Sequence, residues 1–248
     1  MCSAAAIASE APSGSPPSEP VSARDFRLLS VLVLLLFAFV PSASNWAQSV
    51  PDDTRFRIVV WLTDDPSLLP DPSVLSSDDA IATELLERAR LWLSGMIFGW
   101  DFRYQVDDPL RQRQATFVLE PVGEIPFGFP GLRVVEIARV PARVIATVDF
   151  RMPDDLQHYR RYWTVSSLPR VQADGGVDLR RSQQDALEAG LEQAVRNVAR
   201  GRYRDRPVVI SGSVGLITEP RFRYDSGQLI ARVDAAVDIR SVEPNTAF

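Results

Sequence analysis

The chain is expected to fold as an α+β domain, two amphipathic helices packed on mostly antiparallel sheet, and three features of the sequence lead there. Two segments, 76–95 and 182–201, repeat apolar residues at helical spacing behind polar caps. Strand-like runs separated by turn residues fill most of the remainder. Finally, a helix followed by strands occurs twice, as a diverged duplication would leave it, with Val148-Asp149-Phe150-Arg151 near the end of the first half echoed by Val237-Asp238-Ile239-Arg240 near the end of the second.

Arg55 to Leu62 reads as the first strand, followed by a Pro- and Asp-rich loop over 63–76. Ser76 and Asp79 have the spacing of a capping box, and Ile81, Leu85, Ala89, Trp92 and Leu93 form one apolar face that ends at Gly95. Strands are expected at Trp100 to Val106, Ala115 to Val122, Leu132 to Val140 and Arg143 to Arg151. His158 to Val165 is read as a further strand, and Ala173-Asp-Gly-Gly176 as a loop. Ser182 caps the second helix with Asp185 three residues on; Leu187, Leu191, Ala194, Val195 and Val198 make its stripe, and Gly201 stops it. Pro207 to Val214 and Leu216 to Tyr224 follow as strands. Asp225-Ser226-Gly227 then turns the chain into Leu229 to Val242, which alternates apolar and polar residues.

The first fifty residues are of another kind. Residues 1–27 combine an Ala-, Ser- and Pro-rich stretch, expected to be disordered, with the basic Arg24 and Arg27. Leu28 to Val40 contains one polar residue, Ser30, and small residues follow Pro41, the order of a secretory signal with its cleavage region at 28–49. Thirteen residues of helix rise about 20 Å against a bilayer core of about 30 Å, so cleavage is expected over an anchor. The alternative is a membrane anchor at residues 28–43, which is the sole membrane contact expected. Residues 50–248 are the globular unit, with a division into two subdomains near 170–180 as the variant reading. The location expected is the periplasm or cell envelope.

Composition removes several chemistries. All 27 basic residues are arginine, so no Schiff-base lysine, P-loop lysine or Ser–Lys dyad exists. Cys2 is the one cysteine and His158 the one histidine, which excludes disulfides within the chain, thiolate zinc sites beyond Cys2 and multi-histidine metal sites. No metal and no cofactor are expected. Beyond residue 49 the charge is net acidic, and nucleic acid is not expected as a partner.

Three constellations remain. Arg200, Arg202, Arg204 and Arg206 gather around Tyr203 where the second helix ends, and long guanidinium side chains there suit an envelope protein or an anionic surface ligand. Asp154, Asp155 and His158 place two carboxylates and the imidazole within one helical turn, the composition of a proton-transfer pair or a divalent-ion site. Ser213 lies between glycines after a strand but departs from the Gly-x-Ser-x-Gly pattern of a nucleophile elbow. The expected function is therefore a non-enzymatic binding or accessory module of the cell envelope. The alternative is a periplasmic hydrolase that uses carboxylates, with or without a divalent metal.

Overall fold

The computed structural model describes residues 54–107, 114–165, 167–203 and 208–244. The chain divides into Met1–Pro51 and Asp52–Phe248, and the described residues all belong to the second unit. Residues 1–49, with the expected disordered stretch and signal, and Arg204 and Arg206 lie outside the described residues.

The fold is α+β, with every described strand pairing antiparallel. Its elements are β1 (Arg55–Thr63), α1 (Asp78–Ile97), β2 (Trp100–Gln105), β3 (Thr116–Pro121), β4 (Leu132–Val140), β5 (Arg143–Arg151), α2 (Gln157–Thr164), β6 (Arg170–Asp178), α3 (Gln183–Arg202), β7 (Val208–Leu216), β8 (Arg221–Asp225) and β9 (Gln228–Pro244). One sheet runs β1-β5-β4 and the other β3-β2-β7-β9-β6, with β8 added to β9. Because β2 pairs with β7, strands from either side of 170–180 share a sheet.

Local chemistry accounts for the helix starts. Ser77, one residue later than the sequence suggested, accepts a hydrogen bond from the Ala80 amide and caps α1, while Asp78 and Asp79 sit in its first turn, where the helix dipole favours acids. Ser182 and Asp185 form the expected reciprocal capping box at α3. Ile81, Leu85, Ala89, Trp92 and Leu93 are all buried on α1, as are Leu187, Leu191, Ala194 and Val195 on α3. These faces and the inward residues of both sheets belong to one apolar cluster.

Three expectations are corrected by tertiary contacts. Gly95 does not end α1: a Cβ there would stand 1.9 Å from the Trp100 ring, so the glycine is a notch for the indole, and the turn comes at Gly99 with φ of 71°. Ala173 to Gly176 is not a loop but part of β6, since α3 presses onto the strand and a Cβ on Gly175 would meet the Gly190 amide nitrogen at 2.0 Å. Residues 157–164 are helical rather than extended.

That short helix α2 caps the end of α1. Arg160, 7% exposed, donates to the carbonyls of Met96, Leu216 and Ile217 at 3.1, 3.0 and 2.7 Å. The Trp163 indole N–H donates to the Ile97 carbonyl at 3.0 Å, and its ring lies on Gly99 and Gly215. Two of the last carbonyls of α1, which have no partner within their own helix, thus receive donors from α2. The i,i+3 spacing of Arg160 and Trp163 puts both on one helical face, leaving His158, Tyr159, Arg161 and Tyr162 exposed.

The edge strand β4 carries its own protection against further pairing. Its register with β5 slips at Val135, an extra residue, and Arg133, Glu136 and Arg139 are exposed along it. The 17-residue β9 serves two neighbourhoods: its first half lies between β6 and β8, and its second half pairs with β7.

Candidate functional site

Register rather than sequence proximity assembles the most strongly charged cluster of the three-stranded sheet. On β5, Asp149 stands directly opposite Arg57 of β1 and Arg133 of β4, and two residues further along Arg151 stands opposite Arg55. Directly opposed residues share a face, so Arg57, Arg55 and Arg133 gather around one carboxylate, with Arg151 on the same face beside Arg55. Arg57 grips it in a fork, Nε to Oδ1 at 2.8 Å and an Nη to Oδ2 at 3.3 Å. Arg55 donates one Nη to Oδ2 at 3.3 Å. Arg133 stands at 3.9 Å, beyond hydrogen-bond reach.

The arginines cover the acid and remain in water themselves. The Asp149 side chain is 7% exposed, against 60%, 63% and 70% for Arg55, Arg57 and Arg133. Hydrogen bonding to Arg57, with support from Arg55 and the charges of both, holds the Asp149 carboxyl at about 2 against the opposing effect of desolvation. Within this cluster of described residues, the four arginines against Asp149 leave +3. The nearest acid along β4, Glu136, stands in the next row opposite Thr147. A cleft of about 510 Å³ opens beside Asp149, lined by Arg55, Pro130, Gly131, Arg133, Phe150 and Arg151.

The depressed carboxyl ties stability to pH in a definite direction. Asp149 binds its proton near 3.9 in the unfolded chain and at about 2 in the fold, so the pairing contributes fully above the unfolded value and is lost as pH falls from about 4 towards 2. The melting-temperature gap between wild type and Asp149→Asn is expected to be constant above about pH 5 and to close towards pH 2. A gap unchanged down to pH 2 would mean that shape, not charge, sets the effect.

The residues singled out from the sequence lie elsewhere. Arg200 and Arg202 are exposed on the last turn of α3, where cations suit the helix dipole, and neither forms an ion pair with another described residue. Tyr203 is half-buried against the core, its amide donating to the Ala199 carbonyl at 2.8 Å. Asp154 and Asp155 begin a short 3-10 turn leading into α2; Asp154 accepts from the Gln157 side chain at 2.8 Å, and the His158 ring rests on Tyr159. All three are exposed, and among the described residues no three His, Cys, Asp or Glu side chains group so as to hold a metal ion.

Ser213 is not at an elbow. It lies within β7, paired on both sides, and is 1% exposed. Asp101, Ser213 and Asp238 form a row across β2, β7 and β9, with the serine hydroxyl donating to Asp101. The β7–β9 register slips beside Arg240, whose side chain reaches Asp101 at 3.3 Å and Asp238 at 3.5 Å, and Tyr162 from α2 donates to Asp238 at 2.5 Å. The serine is thus locked inside a polar network that fastens α2 to the sheet.

Comparison with known proteins places the chain in a family without stating an activity. A protein-family model with no functional description matches residues 42–245, and the chain belongs to that family. An uncharacterized protein of Treponema pallidum (strain Nichols) is 19% identical over 169 residues, covering 66% of this chain and 70% of the relative. No solved structure matches.

Proposed function

We propose that the chain is an exported, non-enzymatic binding module of the cell envelope whose arginine face around Asp149 takes an anionic partner. The observation that carries this reading is the +3 face itself, with three of its guanidiniums incompletely engaged beside an open cleft. A carboxyl held at about 2 stays ionised at neutral pH and releases no proton there, so Asp149 organises the arginines rather than acting as an acid. Export rests on the signal-like order of residues 24–44. Arg200, Arg202, Tyr203, Arg204 and Arg206 remain a second proposed contact, favoured by the exposure of Arg200 and Arg202, neither of which pairs with another described residue. The two halves are also read as a diverged duplication, because in each the first strand precedes a long helix and pairs antiparallel with the last strand.

A reporter fused after Val50 is expected to be active outside the cytoplasm and shortened by removal of the signal; a full-length product retained in the cytoplasm would end the export reading. Crosslinking and capture of envelope components should then be strong with wild type, salt-sensitive, and weakened in Arg133→Ser/Arg151→Ser. Equal capture by that variant and loss of capture in Arg200→Ser/Arg202→Ser would move the contact to the end of α3. Both pairs are exposed, and such substitutions usually change stability by less than about 0.5 kcal/mol.

A further inference from the structure

We infer that the cleft beside Asp149 is a phosphate site, built for the phosphate group of an anionic headgroup or of a soluble phosphate ester. This rests on the reading of the arginine face given above and names the chemistry of its ligand.

The argument turns on how many guanidinium edges are already committed. Arg57 spends its fork on Asp149 and serves as a fixed part of the wall. Arg55 gives the carboxylate a single N–H, Arg133 stops short of it at 3.9 Å, and Arg151 makes no ion pair with another described residue. Three guanidiniums with donors not committed to other described residues therefore border one cleft. A carboxylate ligand has two oxygens and one charge, and a single fork satisfies it. A phosphate monoester brings three acceptor oxygens and nearly two charges, which three guanidiniums around a +3 face can meet together.

The walls agree with such a ligand. A Cβ on Gly131 would stand 2.6 Å from the Arg151 carbonyl and 2.7 Å from the Phe129 ring, so the glycine keeps that wall close to the strand that carries Arg151. The volume of about 510 Å³ exceeds the need of phosphate alone and falls in the range of ligand clefts, leaving room for the group that bears it. Asp149 has a positioning role: by neutralising part of the charge from beneath, it lets Arg55, Arg57 and Arg133 crowd together before any ligand arrives.

Titration calorimetry with inorganic phosphate, and with acetate as the singly charged comparator, tests the inference on the full exported chain. Phosphate is expected to bind more tightly than acetate, and Arg133→Ser/Arg151→Ser to weaken it by about tenfold or more for each guanidinium removed. Arg161→Ser, at an exposed position of α2, should leave it unchanged. Arg133→Lys/Arg151→Lys, which keeps the charge and loses the fork, should also weaken it; full retention there would overturn the paired-donor geometry. Sedimentation with phosphatidylglycerol-containing and pure phosphatidylcholine vesicles separates the sources: selective co-sedimentation assigns a lipid headgroup, and phosphate binding without it assigns a soluble ester. No preference for phosphate over acetate, with capture still dependent on Arg133 and Arg151, would overturn the phosphate assignment and leave the anionic-partner reading standing. Loss of dependence on those arginines in both assays would overturn both. Circular dichroism and melting of each variant confirm that the fold is kept.

Discussion

Replacing Gly175 by alanine is expected to destabilise the domain severely, because the new Cβ would fall 2.0 Å from the backbone nitrogen of Gly190. Backbone cannot rotate out of the way as a side chain can, so α3 must lift from β6 or the strand must bend. Overpacking of this kind costs about 1–3 kcal/mol and sometimes more, and the strain here lies at the seam between a helix and the strand beneath it. Gly201→Ala in the last turn of the same helix provides the control: nothing lies within 4 Å of its Cβ, and alanine should raise stability by about 0.4–1 kcal/mol. Denaturant titration of the two variants checks the pair. If Gly175→Ala unfolds at the same midpoint as wild type, the contact between helix and strand is looser than described.

Removing the guanidinium of Arg160 is expected to have a comparable effect. Three carbonyls from α1, β7 and the segment after β7 take their donor from this one buried side chain. Each buried acceptor left without a donor costs about 1–3 kcal/mol, so Arg160→Leu should lose about 3 kcal/mol or more. Lysine should not restore it, since one ammonium cannot present the same spread of N–H groups. The neighbouring Arg161 is exposed, and Arg161→Ala should change stability by less than about 0.5 kcal/mol. A small loss in Arg160→Leu would show that water replaces the guanidinium, and α2 would then be a surface appendage rather than the cap of α1.

Features written into short stretches of sequence were legible from it. The capping box of Ser182 and Asp185 acts over three residues, and Asp225-Ser226-Gly227 places Ser226 and Gly227 at φ of 49° and 80°, as its turn chemistry implies. The strands Leu132–Val140 and Arg143–Arg151 fall at their expected limits. Elements whose conformation depends on distant partners were misread. The aromatic and arginine alternation of 158–165 resembles a strand until the carbonyl ends of α1 are brought beneath it, and the glycines of β6 resemble a loop until α3 is laid on them.

The same distinction separates the two arginine clusters. Arg200 to Arg206 are neighbours in sequence and visible at once. Arg55, Arg57, Arg133 and Arg151 come together only through strand registers, that of β1 with β5 spanning more than 90 residues, so the sequence shows four scattered cations and an aspartate noted only as part of a repeat. Their period-2 spacing, Arg55 with Arg57 and Asp149 with Arg151, marks each pair as sharing a strand face. Nothing local says that the two faces are one.

The position of β9 has a consequence for how the chain reaches its final state. This last described strand is an interior member of the larger sheet, bordered by β6, β7 and β8. While the polypeptide is still emerging from a ribosome or a translocation pore, β6 and β8 lack the neighbour that gives them a ladder, and β7 lacks one of its two. Closing the larger sheet must wait for residues up to 244 to arrive. Long-range antiparallel pairing is slow to form, so the larger sheet is expected to close late, with its apolar strand faces exposed until β9 is in place.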